Sequence, residues 1–286
     1  MPKVLIIGNG PAGISAALYT SRAGVDTTIL TRGAGSLAKA EKIENYYGFA
    51  EPVSGQELLD RGIAQAKRLG VNFEPAEVVD LSFNGRFVVT AKSGSYESDA
   101  VILATGAPRT TPKIKGLSDF EGAGVSYCAI CDGFFYRGKD VAVLGCCEYA
   151  AHEAQALLPL AKSVALVTNG EKPIDNLPEG IVVNTKRIAA LDGEGRLSAI
   201  AFEDGSRLTI DGLFIAQGVA GSAELARKIG AQTVGNRIVV DEHMSTNIPG
   251  LFAAGDCTGG MLQISKAVCQ GAEAGAEAVK LLRNLA

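Results

Sequence analysis

The fold turns on residues 3–30, KVLIIGNGPAGISAALYTSRAGVDTTIL. Lys3 to Ile7 is an apolar run of strand length, Ile14 to Arg22 reads as a helix, and Val25 to Leu30 is a β-branched second strand. Between the first strand and the helix stands Gly8-Asn9-Gly10-Pro11-Ala12-Gly13. A G-x-G-x-x-G loop gains meaning from such a βαβ unit of about 30 residues. Its first glycine allows a sharp turn, and its second removes a side chain where a pyrophosphate must approach the backbone. Its third lets the helix pack close to the strand, and the amides at the helix N-terminus then stabilise phosphate charge. A tight strand–helix turn without a ligand is the alternative. Thr31-Arg32 stands where Asp or Glu usually binds an adenosine ribose, which counts against a plain NAD site.

The same order recurs downstream. Asp140 to Leu144 reads as a strand, Gly145-Cys146-Cys147-Glu148-Tyr149-Ala150 as a turn, Ala151 to Leu160 as a helix and Ser163 to Val167 as a strand. Two βαβ units at 3–30 and 140–168 indicate a duplication. The expected fold class is therefore α/β, with two Rossmann-like, three-layer nucleotide-binding domains. Pro108 to Gly116 reads as a linker, the second unit fades near residue 211, and Ile264 to Leu282 reads as a final helix.

Composition narrows the function. A net charge of −4 over 286 residues argues against a nucleic-acid binder or a polybasic membrane protein. MPKVLIIGNGPAG does not read as a signal peptide, and no apolar run approaches the ~20 residues of a membrane span. A cytoplasmic protein is expected. Six cysteines in such a chain are not a disulfide scaffold. Only Cys128 and Cys131 have Cys-x-x-Cys spacing, and with only two His a metal site is not expected.

Cys128 and Cys131 can close and reopen a small disulfide ring, and thiolates in such pairs are often stabilised. The adjacent Asp132 could give a proton to a departing thiolate or take one from an attacking thiol. Half a metal site or two buried thiols are the alternatives.

Together these residues resemble the thioredoxin reductase family of low-molecular-weight flavoproteins. The resemblance covers nearly the whole chain: GNGPAG at 8–13, IENYYGF at 43–49, ILATGA at 102–107, CAICDGFFYRGKDVAVLG at 128–145, IPGLFAAGDC at 248–257, then Leu262-Gln263-Ile264. It implies an FAD-binding domain built from both chain ends, 1–110 and 212–286. A disulfide-bearing, degenerate NADPH-type domain, 111–211, is inserted between them. By the same resemblance Gly8, Gly10 and Gly13, with Pro11 and Ala12, hold the FAD pyrophosphate. Asn45, Thr105, Gly106, Gly255 and Asp256 contact FAD, and the backbone at Gln263 and Ile264 meets the isoalloxazine edge. Cys131 takes electrons from the flavin, Cys128 attacks the disulfide of thioredoxin, and Asp132 serves as acid and base. Such proteins are usually homodimers.

The second loop departs from the family. Members that use NADPH resemble Gly-x-Gly-x-x-Ala there, whereas Cys147 replaces the second glycine and Glu148 follows at the helix start. A sulfur then crowds the pyrophosphate position, and a carboxylate holds the place where the helix dipole favours phosphate. Val167-Thr168-Asn169-Gly170-Glu171 lacks the basic cluster for a 2′-phosphate, and no clear strand-end acid for NAD stands there unless Glu171 serves. NADPH is therefore doubtful. Family members with this loss take electrons from reduced ferredoxin, and ferredoxin is the expected donor here. The alternatives are NADPH use through a variant loop, an FAD-dependent dithiol oxidase using oxygen, and a non-enzymatic binding module. Arg109, Lys113, Lys115, Arg137 and Lys139 could dock an acidic ferredoxin or simply be solvated. Cys257 and Cys269 read as buried small residues, Cys146–Cys147 could pair only through a strained ring, and Phe134-Phe135 reads as core packing or a docking face.

Overall fold

The computed structural model describes residues 2–33, 35–106, 112–127, 129–217 and 221–285, without the side chains of Lys39, Ile130, Cys131 and Leu285. The chain forms two compact units, Met1–Arg109 with Gly221–Ala286, and Thr110–Ala220.

The first unit is built on β1 (Lys3–Ile7), α1 (Pro11–Arg22), β2 (Asp26–Thr31), α2 (Gly55–Arg68) and β3 (Asn72–Pro75). An antiparallel meander follows, β4 (Val78–Phe83), β5 (Phe87–Ala91) and β6 (Gly94–Ser98), and then β7 (Ala100–Leu103). The second unit has β8 (Val125–Ser126), α3 (Ala129–Asp132), β9 (Asp140–Leu144), α4 (Glu148–Leu157), β10 (Ser163–Val167) and β11 (Ile181–Asn184). Its meander is β12 (Ile188–Gly193), β13 (Leu197–Phe202) and β14 (Arg207–Thr209), followed by β15 (Gly212–Ile215). The chain re-enters the first unit with α5 (Ser222–Lys228), β16 (Thr233–Val234), β17 (Arg237–Ile238), β18 (Leu251–Ala253) and α6 (Ile264–Leu285).

Each unit holds a five-stranded parallel sheet, ordered β18-β7-β1-β2-β3 in the first and β11-β10-β9-β15-β8 in the second. Read from opposite edges these are one layout, and the duplication covers four strands, β7-β1-β2-β3 matching β15-β9-β10-β11, while the edge strands differ in chain order: β18 follows β7 and β8 precedes β9. Val4–Ile7 and Ala100–Leu103 are buried throughout, as strands covered on both faces must be. On one face of the first sheet α6 lies against α1. A Cβ on Gly271 would stand 2.1 Å from the Ala12 carbonyl oxygen, so only glycine allows that approach.

The common layout corrects two expectations. Gly212–Ile215 does not open the last part of the first domain but pairs in parallel with β9 and β8, as the counterpart of β7. The expected linker is partly structure as well. Ile114 packs into the second core, and Leu191 N–H donates to the Lys115 carbonyl at 2.9 Å. No helix among the described residues is long and apolar enough to cross a membrane.

Candidate functional site

In a parallel sheet the ligand crevice lies beyond the carboxyl ends of the strands, where the strand order reverses. In the first unit that point is β1, flanked by β7 and β2. Three segments singled out in the sequence follow neighbouring strands there: the 8–13 loop after β1, Thr105-Gly106 after β7, and Gly255-Asp256 after β18.

Each glycine of the 8–13 loop has its own reason. Gly8 has φ +113°, and a Cβ there would strike the Ala104 carbonyl oxygen at 2.3 Å. A Cβ on Gly13 would lie 1.9 Å from the Gly8 carbonyl oxygen. Gly10 differs: a Cβ there meets nothing within 4 Å. That space opens at the first turn of α1, which begins at Pro11 and carries neither a side-chain cap nor an acidic residue. The amides are therefore available to an anion, and the residues fit a dinucleotide pyrophosphate.

Tertiary structure ties the surrounding segments together. Thr105 Oγ1 lies 2.7 Å from Ser222 Oγ and accepts from the Ser222 amide at 3.0 Å, joining the two passages of the chain. Asn45 Nδ2 donates to Gln263 Oε1 at 2.9 Å across 218 positions. Gly255 N–H donates to Gln270 Oε1 at 3.0 Å, Asp256 opens the short turn Asp256–Thr258, and Ile264 is the first residue of α6. Lys266 Nζ donates to the carbonyls of Gly255, at 3.0 Å, and Gly259. Ser222, Lys266 and Gln270 were not recognisable in the sequence, because no local pattern marks a partner that arrives from another strand.

The corresponding loop of the second unit keeps the turn and changes the residues that line it. Gly145 is retained, since a Cβ there would meet the Ala216 carbonyl oxygen at 2.3 Å. Cys147 is the N-cap of α4, and its thiol lies 3.8 Å from the Ala216 carbonyl. The helix starts at Glu148, three residues before the position expected from sequence, so the carboxylate stands in the first turn itself. Burial pushes the Cys146 thiol up, with the neighbouring Cys147 and Glu171 adding to the shift. Glu171, in the loop after β10, thus adds negative potential at this thiol. Arg187, between β11 and β12, comes to the same loop: its Cγ would stand 2.9 Å from a Cβ on Gly170.

Cys128 lies outside the described residues. Cys131 and Asp132 belong to α3, the single turn that follows edge strand β8. Asp132 Oδ2 accepts from Ser126 Oγ at 2.6 Å, and Ala129 N–H donates to Glu153 Oε2 at 2.8 Å. Phe134 and Phe135 are 66% and 67% exposed, so they are not core. Of the proposed basic residues, Lys113, Lys115 and Arg137 are exposed and Lys139 is half-buried, while Arg109 lies outside the described residues. No cluster of metal-ligating side chains occurs among the described residues.

The remaining cysteines divide. Cys257 is buried, and burial raises its thiol to about 11. Cys269, expected to be buried, is exposed on α6, with Glu273 beside it raising its thiol. At pH 8 a thiol near 11 is ionised to about one part in a thousand. Iodoacetamide is expected to label Cys269 in the native protein and to leave Cys257 untouched until unfolding, as read by peptide mass spectrometry. Because the fold holds the Cys257 proton more tightly than the ordinary value of 9.0, this contribution to stability is present below pH 9. It is lost as pH climbs through about 11.

A parallel α/β unit with an open glycine cradle, joined to a second whose sequence carries a Cys-x-x-Cys pair, fits a nucleotide-binding protein equipped for thiol chemistry. The comparisons agree. The family model for pyridine nucleotide-disulphide oxidoreductases matches residues 2–271. The thioredoxin reductase of Aquifex aeolicus is 36% identical over 272 residues, 88% of this chain and 84% of its own. Among solved structures, the atypical thioredoxin reductase TRi from Desulfovibrio vulgaris Hildenborough is 42% identical with a TM-score of 0.94, covering 99% of both chains. A ferredoxin-flavin thioredoxin reductase from Clostridium acetobutylicum is 30% identical with a TM-score of 0.71, covering 99% of this chain and 98% of its own. The chain belongs to the thioredoxin reductase family of pyridine nucleotide-disulphide oxidoreductases.

Proposed function

We propose that the protein reduces thioredoxin with electrons taken from reduced ferredoxin, through FAD held in the first unit and the Cys128–Cys131 pair of the second. The observation that carries this reading is the contrast between the two loops. Gly10 stands before open space, whereas its counterpart Cys147 is the N-cap of a helix whose first turn carries Glu148, and the negative potential of Glu171 reaches the neighbouring Cys146. A pyrophosphate brings two negative charges, and two carboxylates around a cradle repel them. The likeness to a protein described as a ferredoxin-flavin thioredoxin reductase supports the choice of donor.

FAD, when bound, supplies a two-electron store that single-electron donors can fill. The thiols do the rest. Cys128 as thiolate attacks one sulfur of the thioredoxin disulfide, forming a mixed disulfide and releasing the second sulfur as a thiolate. Asp132, oriented by Ser126, can pass that sulfur a proton. Cys131 then attacks the Cys128 sulfur, which frees reduced thioredoxin and closes the Cys128–Cys131 disulfide. Two electrons and two protons restore the dithiol. A cytoplasmic homodimer completes this reading, on family likeness alone.

Use of NADPH through the altered loop is the second reading, favoured by the placement of Arg187 beside Gly170, where a 2′-phosphate could be met. Anaerobic mixing separates the two. Reduced ferredoxin is expected to bleach the flavin absorbance and then support thioredoxin reduction, while NADPH leaves the flavin oxidised. Rapid bleaching by NADPH would overturn the ferredoxin assignment.

A further inference from the structure

Helix α4 presents a buried face of Tyr149, Ala150, Ala151, Ala154 and Leu157, and within it Glu153 is 1% exposed. Alanine or leucine would satisfy that packing. A buried carboxyl is costly unless hydrogen bonds compensate it. One compensating donor is the Ala129 amide, at 2.8 Å from Glu153 Oε2. That amide is the nitrogen of the peptide bond joining Cys128 to Ala129. Across the helix surface Glu153 Oε1 lies 3.7 Å from His152 Nδ1.

We propose that Glu153 is a positioning residue for the redox pair: from α4 it holds the first amide of the Cys128–Cys131 turn and makes the reduced pair a stronger electron donor. This rests on the reading of Cys128 and Cys131 as the working dithiol. Two effects act in one direction. Amides at the start of such a turn are natural donors to a thiolate, and Glu153 takes one of them. When ionised, its carboxylate also places negative charge beside a segment that becomes negative when a thiol ionises. The disulfide is neutral and bears neither cost. Where one thiol of the reduced pair is ionised, disulfide plus two electrons and one proton gives thiol and thiolate, so disfavouring that thiolate lowers the reduction potential, and the equilibrium is therefore read at a pH above the thiol pKa. The other end of the turn is held separately, by Ser126 on Asp132. One acid is thus buried and fixed, and the other is half-buried and placed to exchange protons. The helix after the altered glycine loop, no longer needed for a nucleotide, would then serve the dithiol.

The test uses the full chain loaded with FAD, equilibrated in buffers of reduced and oxidised dithiothreitol, quenched, and analysed by mass spectrometry of the peptide spanning 128 and 131. Glu153→Gln keeps the acceptor oxygen and removes the charge. It is expected to move the dithiol–disulfide equilibrium toward dithiol by about tenfold, about 30 mV for two electrons. Glu153→Asp, which keeps the charge and withdraws it from the amide, is expected to shift it less in the same direction. A purely structural role would change thermal stability and leave the equilibrium where it was, and equal constants in wild type and variants would overturn the proposal. If Glu153→Gln does not fold, an unchanged constant in Glu153→Asp has the same force. A wild-type chain that forms no reversible 128–131 disulfide would remove the dithiol reading and the role of Glu153 together. A normal wild-type disulfide with unchanged variants removes only Glu153.

Discussion

Serine in place of Cys131 is expected to abolish turnover with thioredoxin, by about a thousandfold or more, while leaving FAD bound. The reason lies in the division of labour between the two thiols. In the proposed mechanism Cys128 alone would open the partner's disulfide without releasing the product, because the mixed disulfide needs a second sulfur to resolve it. Cys131→Ser should therefore accumulate a covalent complex with thioredoxin on a non-reducing gel. Cys128→Ser should lose turnover without that complex, since no outer nucleophile remains. Steady turnover in either variant, measured with ferredoxin as donor, would remove the pair from the reaction path.

The next largest effect separates two glycines three residues apart. Gly13→Ala places a methyl group 1.9 Å from the backbone oxygen of Gly8, and no flexible side chain is there to yield. Helix α1 must move off β1, at a cost of about 3 kcal/mol and a fall in Tm of about 10 °C. Gly10→Ala has ordinary φ, −70°, and open space around its methyl group. The fold should be unaffected, with Tm within about 2 °C of wild type. What it should lose is FAD, because the methyl group occupies the approach of the pyrophosphate to the α1 amides. Losing a hydrogen bond to a charged group costs about 1.5–3 kcal/mol, or ten- to a hundredfold in Kd. Fluorescence titration of the apoprotein with FAD measures this directly. Normal FAD affinity in a well-folded Gly10→Ala would show that the cradle is only a turn.

Much of this was readable from short windows of sequence. The run Lys3–Ile7 followed by three spaced glycines has one low-energy arrangement, because the turn and the close packing at Gly13 are local demands. Cys147 and Glu148 could be seen as foreign to a second cradle for the same reason: the chemistry of a helix start depends on a handful of consecutive residues. The limit of such reading is equally local. Nothing near Gly212 says whether its strand joins the first sheet or the second, and only the pairing with β9 decides. Cys269 was misjudged because a helical pattern does not reveal which face the neighbouring elements leave uncovered.

The sequence by itself determined the α/β class, the duplicated βαβ units, the intact first loop, the altered second loop and the presence of one Cys-x-x-Cys pair. Tertiary structure alone decided which distant groups meet. Thr105 meets Ser222 across 117 positions, Asn45 meets Gln263 across 218, Glu153 meets the amide after Cys128, and Arg187 meets Gly170. Turns and periodicities arise from forces between near neighbours, whereas these contacts arise from strand order, which brings together the carboxyl ends of strands far apart in the chain.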